Sequence, residues 1–151
     1  MGDRKGRPYA VVFRRRDLKY SSPYISTVGG FFMRRDLGLF AFGGGAYVAL
    51  ELLYRARSHW TMFLLGGGCF LAIGQLGRHR PRLPLHRQAV LGSCICTGGE
   101  LVTGLAFNRD FSVWDYRELP LNFRGQICLP FSLLWIPVSA LAAVLFRLLD
   151  R

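Results

Sequence analysis

The sequence predicts an all-α, polytopic membrane protein with four transmembrane helices and a basic N-terminal arm in the cytoplasm. Two stretches, 60–77 and 125–146, contain no Asp, Glu, Lys, Arg or His. They are 18 and 22 residues long, close to the roughly 20 residues that cross the hydrocarbon core of a bilayer. Two more stretches, about 36–54 and 89–107, have the same character except for Asp36 and Glu51 in the first and Glu100 in the second. Four apolar stretches of this length predict four membrane spans.

Charged residues are concentrated outside these stretches, which divides the chain into two parts. Residues 1–35 form a basic arm with nine Lys or Arg and two Asp. Residues 36–151 form the transmembrane domain, and its spans are expected at about 36–54, 60–77, 89–107 and 126–147. The arm either fixes the orientation as a solvated segment or binds anionic lipid headgroups, which attract Lys and Arg at a membrane surface.

The net charge of +11 would suit a nucleic-acid-binding protein, but its distribution indicates a lipid bilayer as the partner. Fifteen of the 20 Lys and Arg lie in the arm, in loop 78–88 or near the C-terminus, and five lie in the other two connections. Basic residues accumulate on the cytoplasmic side of membrane proteins. We therefore expect both termini in the cytoplasm, and no nucleic acid as a partner.

The first span carries a stripe of small residues. Ala41, Gly45 and Ala49 recur every four positions, and small residues at this spacing let two membrane helices approach closely. The stripe predicts a helix-packing face. The second span has glycines at 66–68, which suit the same kind of contact.

Each of two spans contains a glutamate, and the two differ in their local surroundings. Glu51 lies near the outer end of the first span, with Arg55 four residues later, where helical neighbours meet. It either pairs locally with Arg55 or shares a functional role with Glu100. Glu100, in the third span, has no cation at helical spacing.

Glu100 lies on a small, polar face of the third span. Stepping by four along the helix gives Gly92, Cys96, Glu100, Gly104 and Asn108, and Thr103 flanks this line. The charge of Glu100 must be satisfied by another helix, by water or by a solute, or be removed by protonation. Because an ionisable residue at membrane depth is costly and commonly functional, we favour a functional role, with Glu51, Thr103 and Asn108 as further candidates; a structural role is the alternative.

The connector 108–125 is expected outside the cell. Its aromatic residues suit the membrane interface, and its acidic and basic residues alternate. It is either a lid of surface ion pairs, each contributing little stability, or the lining of an entrance. The candidate residues of this region are Trp114, Asp115, Tyr116, Asn122 and Gln126.

Catalysis and metal binding find no support in the sequence. The four cysteines lie in or beside the spans, where free thiols behave as small apolar side chains. Cys94 and Cys96 point in different directions on a helix, and no histidine at membrane depth could complete a zinc site. An intramembrane hydrolase would also need a nucleophile beside a base. We expect no enzymatic activity, no metal and no cofactor.

From Glu100 to Trp135 the chain carries four short motifs in a fixed order: a Glu-x-x-x-Gly-x-x-x-Asn helix, a Trp-Asp-Tyr segment, a Pro-x-Asn-x-x-Gly-Gln-Ile segment and a Phe-Ser-x-x-Trp span. In this sequence these are Glu100, Gly104 and Asn108; Trp114, Asp115 and Tyr116; Pro120, Asn122, Gly125, Gln126 and Ile127; and Phe131, Ser132 and Trp135. In these motifs the chain resembles a family of small bacterial membrane proteins, the putative ABC-transporter type IV family of permeases. Glu51, Tyr54 and Arg55 match a first-span motif. The resemblance covers roughly residues 40–147, and the arginine-rich arm departs from it.

The resemblance implies a transport component of the bacterial inner membrane, with Glu100 contacting a solute, a cation or a proton. The sequence has no Gly-x-x-x-x-Gly-Lys-Ser/Thr nucleotide loop, so an ATPase would be a separate subunit. Because four spans are few for enclosing a solute path, we expect a homo-oligomer or a partner membrane subunit. The alternative is an assembly or regulatory subunit whose polar face docks another membrane protein.

Overall fold

The computed structural model describes the backbone of residues 23–151 and the side chains of residues 34–151. Residues 1–22 of the predicted arm, and with them its predicted binding of lipid headgroups, lie outside the described residues. The described elements are α1 (Pro23–Arg55), α2 (Trp60–His79), α3 (Leu85–Phe107), β1 (Asn122–Phe123), β2 (Ile127–Cys128) and α4 (Leu129–Leu149). The two strands pair antiparallel as a small hairpin, with Asn122 opposite Cys128.

All four helices are long and apolar enough to cross a membrane. This confirms the predicted fold class, and the protein is a membrane protein. The apolar spans are Arg34–Arg55, Trp60–His79, Leu85–Phe107 and Leu129–Leu149. Helix α1 already begins at Pro23, so that residues 23–35 of the predicted arm are helical. Helix α4 begins at Leu129, after the hairpin, and Pro130 lies in its first turn, where a missing N–H costs no helical hydrogen bond.

Glycines allow α1 and α2 to pack backbone against backbone. A Cβ atom on Gly44 would lie 2.5 Å from the carbonyl oxygen of Phe63. A Cβ atom on Gly67 would lie 2.7 Å from the carbonyl oxygen of Phe40. Any side chain at either position would therefore force the two helices apart.

The predicted packing stripe on α1 is wrong for contacts within the chain. Ala41, Gly45 and Ala49 are exposed, and a Cβ atom on Gly45 would meet nothing within 4 Å. The face that approaches α2 is centred on Gly43 and Gly44, which are buried. The stripe of small residues is left free for contacts outside the chain.

The four helices are not packed evenly. Helix α1 contacts α2 extensively, α3 contacts α4 extensively, and α2 contacts both α3 and α4. Helix α1 scarcely touches α4. This arrangement leaves a cleft between α1 and α4, which we call the α1–α4 cleft, with α2 and α3 as its floor.

Charged residues close the bundle at the end opposite the hairpin. The Arg78 guanidinium donates to the Asp150 carboxylate at 2.6 Å and to the Asp36 carboxylate at 3.2 Å. Arg35 also pairs with Asp150 at 3.2 Å. These bonds join residues 35 and 36 within α1 to the C-terminal ends of α2 and α4.

Candidate intramembrane carboxylate site

The connector is held over the helices by a network of buried amides. Asn108 ends α3 and is fully buried; its Nδ2 donates to the Trp114 carbonyl oxygen at 2.6 Å, and its Oδ1 accepts from the Val113 N–H at 2.9 Å. Gln126 exchanges hydrogen bonds with Asn108 at 3.1 and 2.9 Å. The Trp114 indole N–H donates to the Gln126 carbonyl oxygen at 2.9 Å. These three candidates from the sequence position the connector.

The remaining polar connector candidates are engaged within the connector itself. Asn122 accepts from the Gly125 N–H at 3.2 Å and donates to the Arg117 and Leu119 carbonyl oxygens at 3.1 and 2.9 Å. Asp115 is exposed and pairs with Arg117 at 2.6 Å. Its hydrogen bonds to Arg117 hold the pKa of the Asp115 carboxyl below its usual value. This geometry fits the alternative of surface ion pairs for Asp115.

Tyr116 is the connector residue that reaches the intramembrane carboxylate. Its hydroxyl donates to Glu100 Oε1 at 3.2 Å, and its ring stacks on Phe131 with centroids 4.7 Å apart. Burial, together with the nearby Glu100 carboxylate, raises the pKa of the Tyr116 phenol far above its usual value. The hydroxyl therefore stays protonated and available as a donor.

Glu100 is buried, with 3% of its surface exposed, and is held by neutral donors. The Trp135 indole N–H donates to Oε2 at 2.9 Å, opposite the Tyr116 hydroxyl on Oε1. Among the side chains of residues 34–151, no Lys, Arg or His forms an ion pair with Glu100. The third span thus supplies a carboxylate whose oxygens have hydrogen-bond donors but no counter-charge.

Glu100 lies between two cavities in the α1–α4 cleft. The cavity farther from the hairpin, which we call the distal cavity, has a volume of about 370 Å³ and is walled mainly by aliphatic and aromatic side chains. The connector-side cavity, about 350 Å³, also contains Glu51, Arg55 and Tyr116 in its wall. Both cavities share Tyr47, Glu100 and Trp135. The carboxylate therefore lies where the two cavities meet.

The other acidic candidate, Glu51, is paired close to its own position in the chain. It bonds to Arg55, which also donates to the Val113 carbonyl oxygen. Its second oxygen accepts from the Ser58 hydroxyl at 2.6 Å. The geometry matches the local-pair alternative, although Glu51 does line the connector-side cavity.

The structure does not bring Thr103 to Glu100. Thr103 lines a separate cavity of about 350 Å³ between α2 and α3, together with Trp60 and Phe107. Among the described residues, no group of three or more His, Cys, Asp or Glu side chains is placed to hold a metal ion.

Two aromatic residues of the site did not stand out as candidates in the sequence. Trp135 bonds to Glu100, and Tyr47 stacks on Trp135 with ring centroids 5.7 Å apart and an angle of 24° between the rings. In the sequence, only its place in the Phe-Ser-x-x-Trp motif pointed to Trp135. Tyr47 lies one helical turn before Glu51 in the sequence, and in the structure it lines the connector-side cavity together with Glu51 and Glu100.

One comparison with known proteins gives a match. The model of a family described as putative ABC-transporter type IV matches residues 32–149. Curated proteins give no match, and neither do solved structures. The matched range includes the four apolar spans, the connector and the site at Glu100.

Proposed function

This chain belongs to the putative ABC-transporter type IV family, and from that premise we propose that it is a permease-like transport component in which Glu100 contacts the solute, a cation or a proton. The proposed location is the inner membrane of a bacterium, with both termini in the cytoplasm. The orientation is proposed from the excess of Lys and Arg in the arm, in loop 78–88 and near the C-terminus.

The observation that carries the proposal is the environment of Glu100. A charged carboxylate away from water is costly unless an opposite charge compensates it, and the donors from Trp135 and Tyr116 are neutral. A positively charged ligand, or a proton, would supply the missing compensation. The two cavities offer such a ligand space beside the carboxylate.

The open cleft supports the proposed assembly. Large apolar residues at its rims are exposed: Leu53 on α1 has 86% of its surface accessible and Leu134 on α4 has 52%. In a bilayer these residues face lipid, and a second copy or a partner membrane subunit in an assembly would contact the same apolar surface. Because the sequence lacks a nucleotide loop, any ATPase of the transporter would be a separate subunit.

Chemical modification tests the role of the carboxylate. Dicyclohexylcarbodiimide enters apolar regions and modifies carboxyl groups there, and peptide mass spectrometry identifies the modified residue. In lipid nanodiscs we expect modification of Glu100. A bound cation or a rise in pH should protect Glu100, because the carbodiimide reacts with the protonated carboxyl group. Glu51, which is paired with Arg55, should react less. A Glu100 that stays unmodified, or whose modification responds to no cation and no pH, would contradict the proposal.

A second candidate function is an assembly or regulatory subunit that docks another membrane protein. The exposed stripe of Ala41, Gly45 and Ala49 favours it. A Cβ atom on Gly45 would meet nothing within 4 Å, and a small-residue face of this kind lets a helix of another protein approach closely. Purification in mild detergent separates the candidates. A stable homo-oligomer supports the transport component, whereas recovery only together with another membrane protein supports the docking subunit.

A further inference from the structure

The distal cavity combines an apolar wall with a single charged group. Phe42, Leu50, Phe70 and Ile73 are among the side chains of its wall. Glu100 is the only Asp, Glu, Lys, Arg or His that lines it within the described part of the chain. Its volume of about 370 Å³ falls within the usual range for small-molecule pockets, about 300–1,000 Å³. The cavity therefore offers room for an apolar body and one place for a positive charge.

Two aromatic rings lie beside that place. Tyr47 and Trp135 stack on each other beside Glu100 and line both cavities. Organic cations bind favourably to the faces of such rings, and quaternary ammonium groups are recognised in this way. A carboxylate next to tryptophan and tyrosine rings attracts a diffuse organic cation by both interactions at once.

A small inorganic cation fits this cavity less well. Na⁺ and other hard cations require several oxygen ligands. Among the described side chains that line the distal cavity, the oxygens are those of Tyr47, Glu100 and Ser139, and both oxygens of Glu100 already accept hydrogen bonds. The wall has too few oxygen atoms to replace the hydration shell of Na⁺, whereas its apolar side chains can pack against the apolar groups of an organic cation.

The cleft opens to the side of the bundle. Leu53 on α1 and Leu141 on α4 lie at its rim and are exposed by 86% and 59%. In a bilayer this flank would face hydrocarbon, from which an apolar solute could enter without crossing the charged end of the bundle. We infer that the ligand of this site is a lipophilic organic cation, bound with its positive group at Glu100 and its apolar body in the distal cavity. This inference rests on the proposed function and narrows its solute.

Binding of tetraphenylphosphonium tests the inference. Equilibrium dialysis of the purified full chain in nanodiscs should show saturable binding. Glu100→Gln should weaken that binding by about thirtyfold or more, the factor expected when one member of a buried charge pair is removed. Glu118→Gln, which removes an exposed carboxylate of the connector, should bind as the wild type does. Tetraphenylborate, which has the same shape and the opposite charge, should show no binding that depends on Glu100.

A second variant keeps the test informative if Glu100→Gln fails to fold. Ala46 lines the distal cavity and is exposed on α1, so that Ala46→Leu fills the cavity and leaves the carboxylate intact. This variant should bind tetraphenylphosphonium more weakly by about tenfold, roughly the effect of losing apolar contact area for one side chain. Unchanged binding in Ala46→Leu would overturn the inference.

The outcomes separate this inference from the proposed function. If the wild type does not bind tetraphenylphosphonium, or if Glu100→Gln binds it equally well, the inference is overturned. If Na⁺ or pH still controls the carbodiimide reaction of Glu100 in the same samples, the proposed function survives that result. If neither controls it, both fail together.

Discussion

At the scale of single residues, the site is defined by what holds Glu100 and by what is missing around it. Tyr116 and Trp135 donate to its two oxygens from the connector and from α4. Two neutral donors orient the carboxylate and leave its charge uncompensated, because no ion pair with Glu100 forms among residues 34–151. The group is thus positioned rigidly while it remains attractive to a positive ligand.

The Tyr116→Phe substitution measures one of these hydrogen bonds. It removes the hydroxyl that donates to Glu100 and keeps the ring stacked on Phe131. We expect the free energy of unfolding in mixed micelles to fall by about 1–2 kcal/mol, the usual contribution of one hydrogen bond to a polar or charged group. Tyr54→Phe is the control, since Tyr54 is 81% exposed and should change stability by less than about 0.5 kcal/mol. Equal effects of the two substitutions would contradict a stabilising hydrogen bond from the Tyr116 hydroxyl to Glu100.

Sequence reasoning identified the carboxylate but not its donors. The absence of a cation at helical spacing around Glu100 is visible in the sequence, because positions three and four apart meet on one helix face. Trp135 is 35 residues away and Tyr116 is 16 residues away, and these contacts depend on how α3, α4 and the connector pack. Thr103 was grouped with Glu100 from the same helical wheel, yet it faces a cavity beside α2.

At the scale of elements, glycines determine which helices pair. Gly44 and Gly67 lie where the α1 and α2 backbones cross, against the carbonyl oxygens of Phe63 and Phe40. The sequence shows several small-residue stripes on α1 and does not indicate which of them meets α2. The choice depends on aromatic rings of the partner helix, and for this reason the stripe through Gly45 does not meet α2.

Neighbouring glycines provide a matched test of this interface. Gly44→Ala places a methyl group 2.5 Å from the Phe63 carbonyl oxygen and should lower the free energy of unfolding by about 1–3 kcal/mol, as overpacking usually does. Gly45→Ala meets open space and should stabilise the helix slightly, by about 0.5–1 kcal/mol. Unfolding followed by helical circular dichroism in mixed micelles measures both. A larger loss for Gly45→Ala than for Gly44→Ala would show that the two helices are paired differently.

At the scale of the whole molecule, the length and composition of the spans were enough to predict the fold class, because a bilayer requires about 20 apolar residues for each helix. The open side between α1 and α4 could not be predicted, since it follows from α1 pairing with α2 and α3 pairing with α4. The hairpin of β1 and β2 was also not predicted, because strands of two residues leave no alternating pattern in a sequence.

The orientation of the molecule in the membrane remains a prediction from the charge distribution. Single cysteines at Asp115 and Arg82, both exposed, should respond differently to a maleimide that cannot cross membranes when the four native cysteines are replaced. Intact cells should label Asp115→Cys, and Arg82→Cys should require permeabilised cells, because the basic loop is expected inside. The reverse pattern would invert the orientation.

The most direct test of the central claim, that Glu100 contacts what is transported, is solute flux in membrane vesicles that retain any partner subunits. Vesicles with wild-type protein should move protons or tetraphenylphosphonium faster than vesicles without it. The Glu100→Gln protein should stay folded and in the same oligomeric state while its flux falls to the level of empty vesicles, because the amide keeps the shape and cannot carry a charge. The exposed-site control Glu118→Gln should retain the wild-type rate. A Glu100→Gln protein that transports at the wild-type rate would contradict the account and leave Glu100 with a structural role.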